Sequence, residues 1–337
     1  MRLLFSLVVA CIFFASCNSN NTPNVDNVKV NLTTERFDKD LFAMDTTRMV
    51  SELDRLMAKY PTFGKTFLTQ IINVDPLWSS DTIANYIKSF IGSYRNIYDS
   101  SEKIFADFSK YEKEIKKGMQ YVKHYFPAYK LPSKVYTYIG PLDGTGDGLN
   151  EDGFCIGLQA HLGGDFSLYK TTWVQETYPD YMSRRFEPSY IAVNSMNRIV
   201  EDMFPEKGND DKTMVMQMVE KGKRLYLLSK FLPATPEFKL IGYTEKQLKE
   251  SYDHEASIWA LFVQNNMLQT IDYNVIKNYV GEGPKTPELG EASPGNIGSF
   301  AGWQIVKKYM DKHSDTQLKD LMMMDAEKLF QDAKYKP

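Results

Sequence analysis

Histidine and cysteine are scarce in this chain of 337 residues, with four of the first and three of the second. Cys11 and Cys17 belong to the N-terminal apolar run and its end, which leaves Cys155 alone in the body of the chain. An intramolecular disulfide framework cannot be built from that set. None of His124, His161, His254 and His313 has a second histidine one helical turn away. His254-Glu255 begins the zinc-hydrolase pattern, but the second histidine position holds Ile258, so HExxH is missing and no metal is expected. No G-x-S-x-G nucleophile elbow occurs, and Cys155 sits in an apolar stretch where a thiol is inert. The longest apolar run, residues 3–14, falls short of the ~20 residues a membrane-spanning helix needs. A net charge of −3, with Lys and Glu interspersed, leaves no nucleic-acid footprint.

What is present begins at the N-terminus. Arg2, the apolar run and the small residues Ala15-Ser16 ahead of Cys17 form a signal peptide ending in a lipobox-like sequence. The expectation is removal of residues 1–16 and acylation of Cys17, which becomes a mature N-terminus held in the lipid bilayer by several acyl chains. Residues 17–30 are Asn-rich and polar and read as a flexible tether. Residues 31–337 then form a single, mostly helical domain, with a helical part at 31–130 and a second part at 131–337.

The spacing of apolar residues predicts helices around Met49–Met57, around Ile83–Ile97 and over 101–125. Residues 134–139 and 153–160 read as strands, and the loop between them suggests a hairpin. Helices return at 179–204, 212–231, 245–268, 296–310 and 315–331. Thr244 and Gln247 form a capping box, and Ser314 and Gln317 repeat it. The fold class is α+β, predominantly α-helical, with a small β-hairpin or sheet.

Three places carry candidate chemistry. In the loop 143–152, Asp143, Thr145, Asp147 and Glu151 fall at alternate positions as in a calcium loop, but Phe154 stands where a bidentate Glu is needed, so a solvated turn is the plainer reading. The 212–231 helix is apolar nearly all round, yet Glu220 and Lys223 share one face and Gly222 permits close backbone approach. Glu255 falls on the apolar stripe of the 245–268 helix. A carboxylate in such a place needs a partner, and the two readings are core ion pairs or the lining of a remnant catalytic cleft.

The order Arg36-Phe37-Asp38-Lys39-Asp40, Glu220-Lys221-Gly222-Lys223-Arg224, Ile241-Gly242-Tyr243-Thr244, His254-Glu255-Ala256-Ser257-Ile258-Trp259, Gly283-Pro284 and Gly302-Trp303-Gln304 resembles the gliding-motility lipoprotein GldB family of the Bacteroidota. The resemblance implies a lipid-anchored envelope protein that supports gliding and its linked type IX secretion machinery. It also implies a distant likeness to predicted zinc-dependent proteases. In that likeness the segment Asn194–Glu201 corresponds to the HExxH helix, with Asn194, Asn197 and Glu201 where the site would be, and Glu220 approximates a third ligand. Gln159 and His161 stand where the family leads one to expect Asp and Tyr.

The combined expectation is a degenerate metallopeptidase-like domain without a cofactor. Asn194, Asn197, Glu201, Glu220, Lys223 and Glu255 would line the remnant cleft. Such a protein would act by contact with protein components of the gliding and secretion machinery, from an outer-membrane anchor facing the periplasm. Two alternatives remain open: a zinc- or carboxylate-dependent envelope hydrolase with a rebuilt site, and a periplasmic glycan- or peptide-binding module.

Overall fold

The computed structural model describes residues 22–206, 208 and 211–337, so Cys17 and the signal segment lie outside the described residues. The first elements are β1 (Thr33–Glu35), α1 (Phe37–Phe42), α2 (Met49–Lys59), α3 (Pro61–Thr66), α4 (Ser80–Phe105) and α5 (Ser109–Tyr125). β2 (Lys134–Tyr138), β3 (Asp147–Leu149) and β4 (Gly153–Gly157) follow, then α6 (Thr172–Thr177), α7 (Asp180–Ser183), α8 (Ile191–Met203) and α9 (Met214–Phe231). The last are α10 (Glu237–Ile241), α11 (Glu245–Asp253), α12 (Glu255–Gln264), α13 (Tyr273–Ile276), α14 (Ile297–Lys312), α15 (Leu318–Met323) and α16 (Ala326–Ala333). The class is α+β and predominantly helical.

The sheet differs from the expected hairpin. Its strand order is β1-β2-β4-β3, and β2 and β4 pair in parallel with Lys134 opposite Gly153 and Tyr138 opposite Gly157. The intervening loop contributes β3, which pairs antiparallel to the outer side of β4 and lets the chain re-enter in the same direction as β2. On the far edge β1 pairs parallel to β2, which joins the 31–130 part to the rest through one sheet. Apart from Lys134, β2 and β4 are buried throughout, as parallel strands covered on both faces are. Tyr136 stacks on Phe63 at 4.7 Å, and Phe63 meets Phe37 edge-on at 4.9 Å. Beneath this cluster Asp38 is fully buried, bound by Arg36 Nε and Nη2 at 2.9 and 2.6 Å and by the Thr137 hydroxyl at 2.6 Å. A buried carboxylate held by a two-pronged guanidinium is the arrangement that offsets its desolvation.

Several helices are shorter than the apolar spacing suggests. The 101–125 span is broken at residues 106–108, and the 179–204 span is interrupted by a 3-10 turn, Pro188–Tyr190. The 245–268 span divides at His254. Near the C-terminus Asp325 accepts from the Lys328 amide and starts α16 as a separate helix. Thr244 and Gln247 do form the reciprocal capping box at the start of α11. The box expected at Ser314–Gln317 does not form: α15 begins at Leu318, with Gln317 at its N-cap making no capping bond.

At the centre, α9 and α14 cross with their backbones in contact. Gly222 and Gly302 are the crossing point: a Cβ on Gly222 would lie 2.2 Å from the Gly302 carbonyl oxygen. α14 is buried from Ile297 to Val306, as a helix apolar on every side must be.

The polar run expected to be a tether through residue 30 is docked from Val25 onward. Val25, Val30 and Leu32 are buried, Gln120 Nε2 donates to the Val28 carbonyl at 2.9 Å, and Lys117 pairs with Asp26 at 2.7 Å on α5. Spaced valines inside the polar composition supply the apolar contact that the Asn-rich average hides.

Candidate functional site

α8 buries Ile191, Met196, Ile199 and Val200 at helical spacing and presents Asn194, Asn197, Arg198 and Glu201 to a cleft of about 480 Å³. The other walls come from the turn after β4, from α9 and α10, and from the start of α14. Ionic pairs line it, with Arg185, Arg198, Lys221, Arg224 and Lys239 facing Asp147, Glu201, Glu206 and Glu282. Arg198 Nη1 meets Glu201 at 2.7 Å, Lys221 meets Glu206 at 2.6 Å, and Arg185 grips Glu282 with two contacts of 3.1 Å. Arg224 donates to the Phe204 carbonyl at 2.6 Å and lies 3.8 Å from Glu206. Burial works against ionisation of Glu206, but Lys221 and Arg224 outweigh it and hold the carboxyl below the usual range.

Behind the cleft lies a buried charged network that the chain pattern does not announce. His161 Nε2 is 2.9 Å from Asp147 Oδ2, and His161 Nδ1 is 3.1 Å from the Glu187 carbonyl. Both ring nitrogens therefore face acceptors, and only an imidazolium can donate to both. Burial disfavours that cation, yet the Asp147 carboxylate and the Glu187 carbonyl together raise the His161 pKa above its ordinary 6.5. Asp147 also accepts from Asn194 Nδ2 at 2.7 Å and from the Gly157 amide at 3.2 Å. The carboxylate is thus surrounded by donors, and Asn194 is fixed by it. Next to this network Cys155 is an inert thiol, its pKa pushed up to about 12 by burial and then by Asp147.

These contacts correct the reading of residues 143–152 as a solvated turn or calcium loop. Asp147 is buried and turned inward from β3, and the Thr145 carbonyl accepts from the Tyr138 hydroxyl at 2.9 Å. Among the described residues no group of three or more His, Cys, Asp or Glu could hold a metal ion. The cleft does not fit the zinc that the peptidase likeness implies. Asn194 and Asn197 are weak amide ligands, Glu201 is paired, and Arg198, Lys221 and Arg224 would oppose a dication.

The candidate residues fall in three places. Asn194, Asn197 and Glu201 share the α8 cleft. Glu220 and Lys223 line a neighbouring groove of about 440 Å³, together with Met216, Met322 and Met324. There the fully buried Lys223 Nζ meets Glu220 Oε1 at 2.8 Å, the Met324 carbonyl at 2.9 Å and the Met322 carbonyl at 3.3 Å. Three donors and three acceptors make this a latch between α9 and the turn after α15. Lys223→Met is expected to cost about 2–3 kcal/mol, because two carbonyls lose their donor. Amide hydrogen exchange should rise first in residues 318–333; unchanged exchange there would contradict the latch.

Glu255 joins neither group. Its partner is a phenol rather than a cation: the Tyr335 hydroxyl donates to Oε1 at 2.5 Å. The break at His254 explains the displacement, since the stripe that would have carried Glu255 into the core is interrupted there. The residues that sequence reasoning did not bring to the cleft are Arg198, Lys221 and Arg224, together with Asp147, which it weighed only as a ligand in a calcium-like loop. Each looks like a solvated charge along the chain, and the polar shelf they make needs α8, α9 and β3 side by side.

Among the described residues no helix is long and apolar enough to cross a membrane. Compared with models of known families, residues 18–337 match the one described as "Gliding motility protein GldB". No curated protein and no solved structure matches the chain.

Proposed function

The chain belongs to the gliding motility protein GldB family, and we propose that it is a lipid-anchored, non-catalytic envelope lipoprotein that supports gliding and the linked type IX secretion machinery through protein contacts. The observation that carries this reading is the commitment of every candidate carboxylate, and of Asn194 beside them, to a structural bond. Asn194 serves Asp147, Glu201 serves Arg198, Glu220 serves Lys223 and Glu255 serves Tyr335. General acid–base catalysis needs a group poised to exchange its proton with a substrate. Here the carboxylates instead neutralise neighbouring cations or accept from a phenol. A shaped polar surface of this kind is what contact requires.

Acylation at Cys17 would supply the anchor. Val25, where the chain docks, lies eight positions beyond Cys17, a span of about 28 Å when fully extended, so the domain would be held close to the bilayer. In a strain deleted for the gene, the wild-type chain should restore surface spreading and secretion of type IX cargo. Cys17→Ser should leave the membrane fraction and fail to restore either. Retention of Cys17→Ser in the membrane would defeat the anchor, and full rescue from the soluble fraction would defeat its importance.

A further inference from the structure

The cleft along α8 holds more buried donors than the protein supplies acceptors. Arg198 Nε and Arg224 Nη1 are buried and have no hydrogen-bond partner in the protein, Gln159 Nε2 is buried with only the Tyr138 hydroxyl beside it, and all three residues line this one cleft. Gln159 is 1% exposed, and its own Oε1 is already used by the Gly140 amide at 3.0 Å. Lys239, on the same wall, lies 5.9 Å from the Tyr190 ring and has no carboxylate partner among the described residues. Asn296 and Ser299 bring the start of α14 to the cleft, and a helix N-terminus adds further positive potential. Buried N–H groups without acceptors are costly, so an occupant rich in oxygen acceptors gains the hydrogen bonds that the protein itself does not supply there.

The spacing of the donors selects the occupant. Gln159 lies near the Asn194 end of α8, whose Nδ2 reaches Asp147 beside Gly157, and Arg224 reaches the opposite end at Phe204. At 1.5 Å per residue, Asn194 and Phe204 are about 15 Å apart. One phosphate cannot serve both ends. An extended peptide advances ~3.3–3.6 Å per residue, so four or five residues cover that length and present a carbonyl at every step. With Arg198 Nη1 held by Glu201 and Arg224 Nη2 by the Phe204 carbonyl, one buried, unpartnered guanidinium nitrogen remains on each, a charge-assisted donor for a carboxylate oxygen. Val193 and Leu225 offer apolar contact between the polar points.

We propose that the α8 cleft grips an extended acidic peptide segment of a partner protein, about four or five residues long, with carboxylates at Arg198 and Arg224 and backbone carbonyls toward Gln159. The proposal deepens the contact reading above and rests on it only in taking the occupant to be protein. The test uses the purified full-length protein in detergent and two fluorescent pentapeptides, one alternating glutamate with leucine and one with each glutamate replaced by glutamine. The acidic peptide should bind about tenfold more tightly, and Arg198→Gln and Arg224→Lys should each weaken it about tenfold. Nitrogen-15 signals of the Arg198 and Arg224 side chains in the wild-type protein read the site without any substitution, and both should shift when the acidic peptide is added. Equal affinity for the two peptides, or unmoved arginine signals, would overturn the proposal. So would displacement of the peptide by equimolar inorganic phosphate, which would mark a site for a compact anion. Cys17→Ser spreading reads the anchor independently of the cleft, so the two proposals fail separately.

Discussion

Gly302→Ala is expected to destabilise the protein by at least about 3 kcal/mol, the upper end of ordinary overpacking. The added methyl group would stand 1.8 Å from the Met218 carbonyl oxygen and 2.3 Å from its carbon. Those atoms are helix backbone, so relief requires α9 and α14 to separate. Separation in turn unpacks Met218, Val219, Phe300 and Trp303, all buried. With total stabilities of ~5–15 kcal/mol, such a loss is a large share of the whole. Gly92→Ala on α4 is the matched control, because a Cβ there meets nothing within 4 Å. That exchange should be neutral or stabilising by up to about 1 kcal/mol, since alanine is the better helix former. Urea unfolding of both variants checks the pair, and a Gly302→Ala midpoint equal to wild type would refute the close crossing.

The second large effect concerns the charges behind the cleft. Asp147→Ala should cost about 3–5 kcal/mol, because it strands the His161 imidazolium in a buried position. The side chains of His161 and Asp147 are 1% and 3% exposed, so solvent cannot replace the lost partner. The pH dependence follows from the raised His161 pKa. The native state binds the proton more tightly than the unfolded chain, so the contribution is complete below the unfolded value of about 6.5. It fades as pH rises through the higher native value. Unfolding midpoints should therefore decline above neutrality in the wild type, and His161→Gln should flatten that decline. A wild-type midpoint that climbs over the same interval, with His161→Gln unchanged from it, would refute the ion pair.

Much of the helical framework was legible because apolar spacing is a local property. Met49, Leu53 and Leu56 pack as their period requires, Gly222 marks a true close approach, and Thr244 caps α11 as its neighbours suggest. Strand pairing was less legible. A run such as Val135-Tyr136-Thr137-Tyr138 looks the same whether its neighbour runs parallel or antiparallel, and β1 and β3 are three residues each. The site was least legible. Asp147 and His161 are fourteen residues apart and each sits in a Gly-rich segment, so neither reads alone as half of a buried pair. Glu220 and Lys223, one helical turn apart, were visible as a pair for the opposite reason.

A protein that works by contact needs no chemistry from its carboxylates. The most direct measurement is rescue of a deletion strain by the triple variant Glu201→Gln, Glu220→Gln, Glu255→Gln. Each amide keeps a hydrogen-bond acceptor for Arg198, Lys223 or Tyr335 while removing the capacity for proton transfer and the anionic charge of a strong metal ligand. The variant should restore spreading and type IX cargo secretion to the wild-type level. Loss of both, at unchanged protein level and melting temperature, would contradict a contact role and return the cleft to the enzymes.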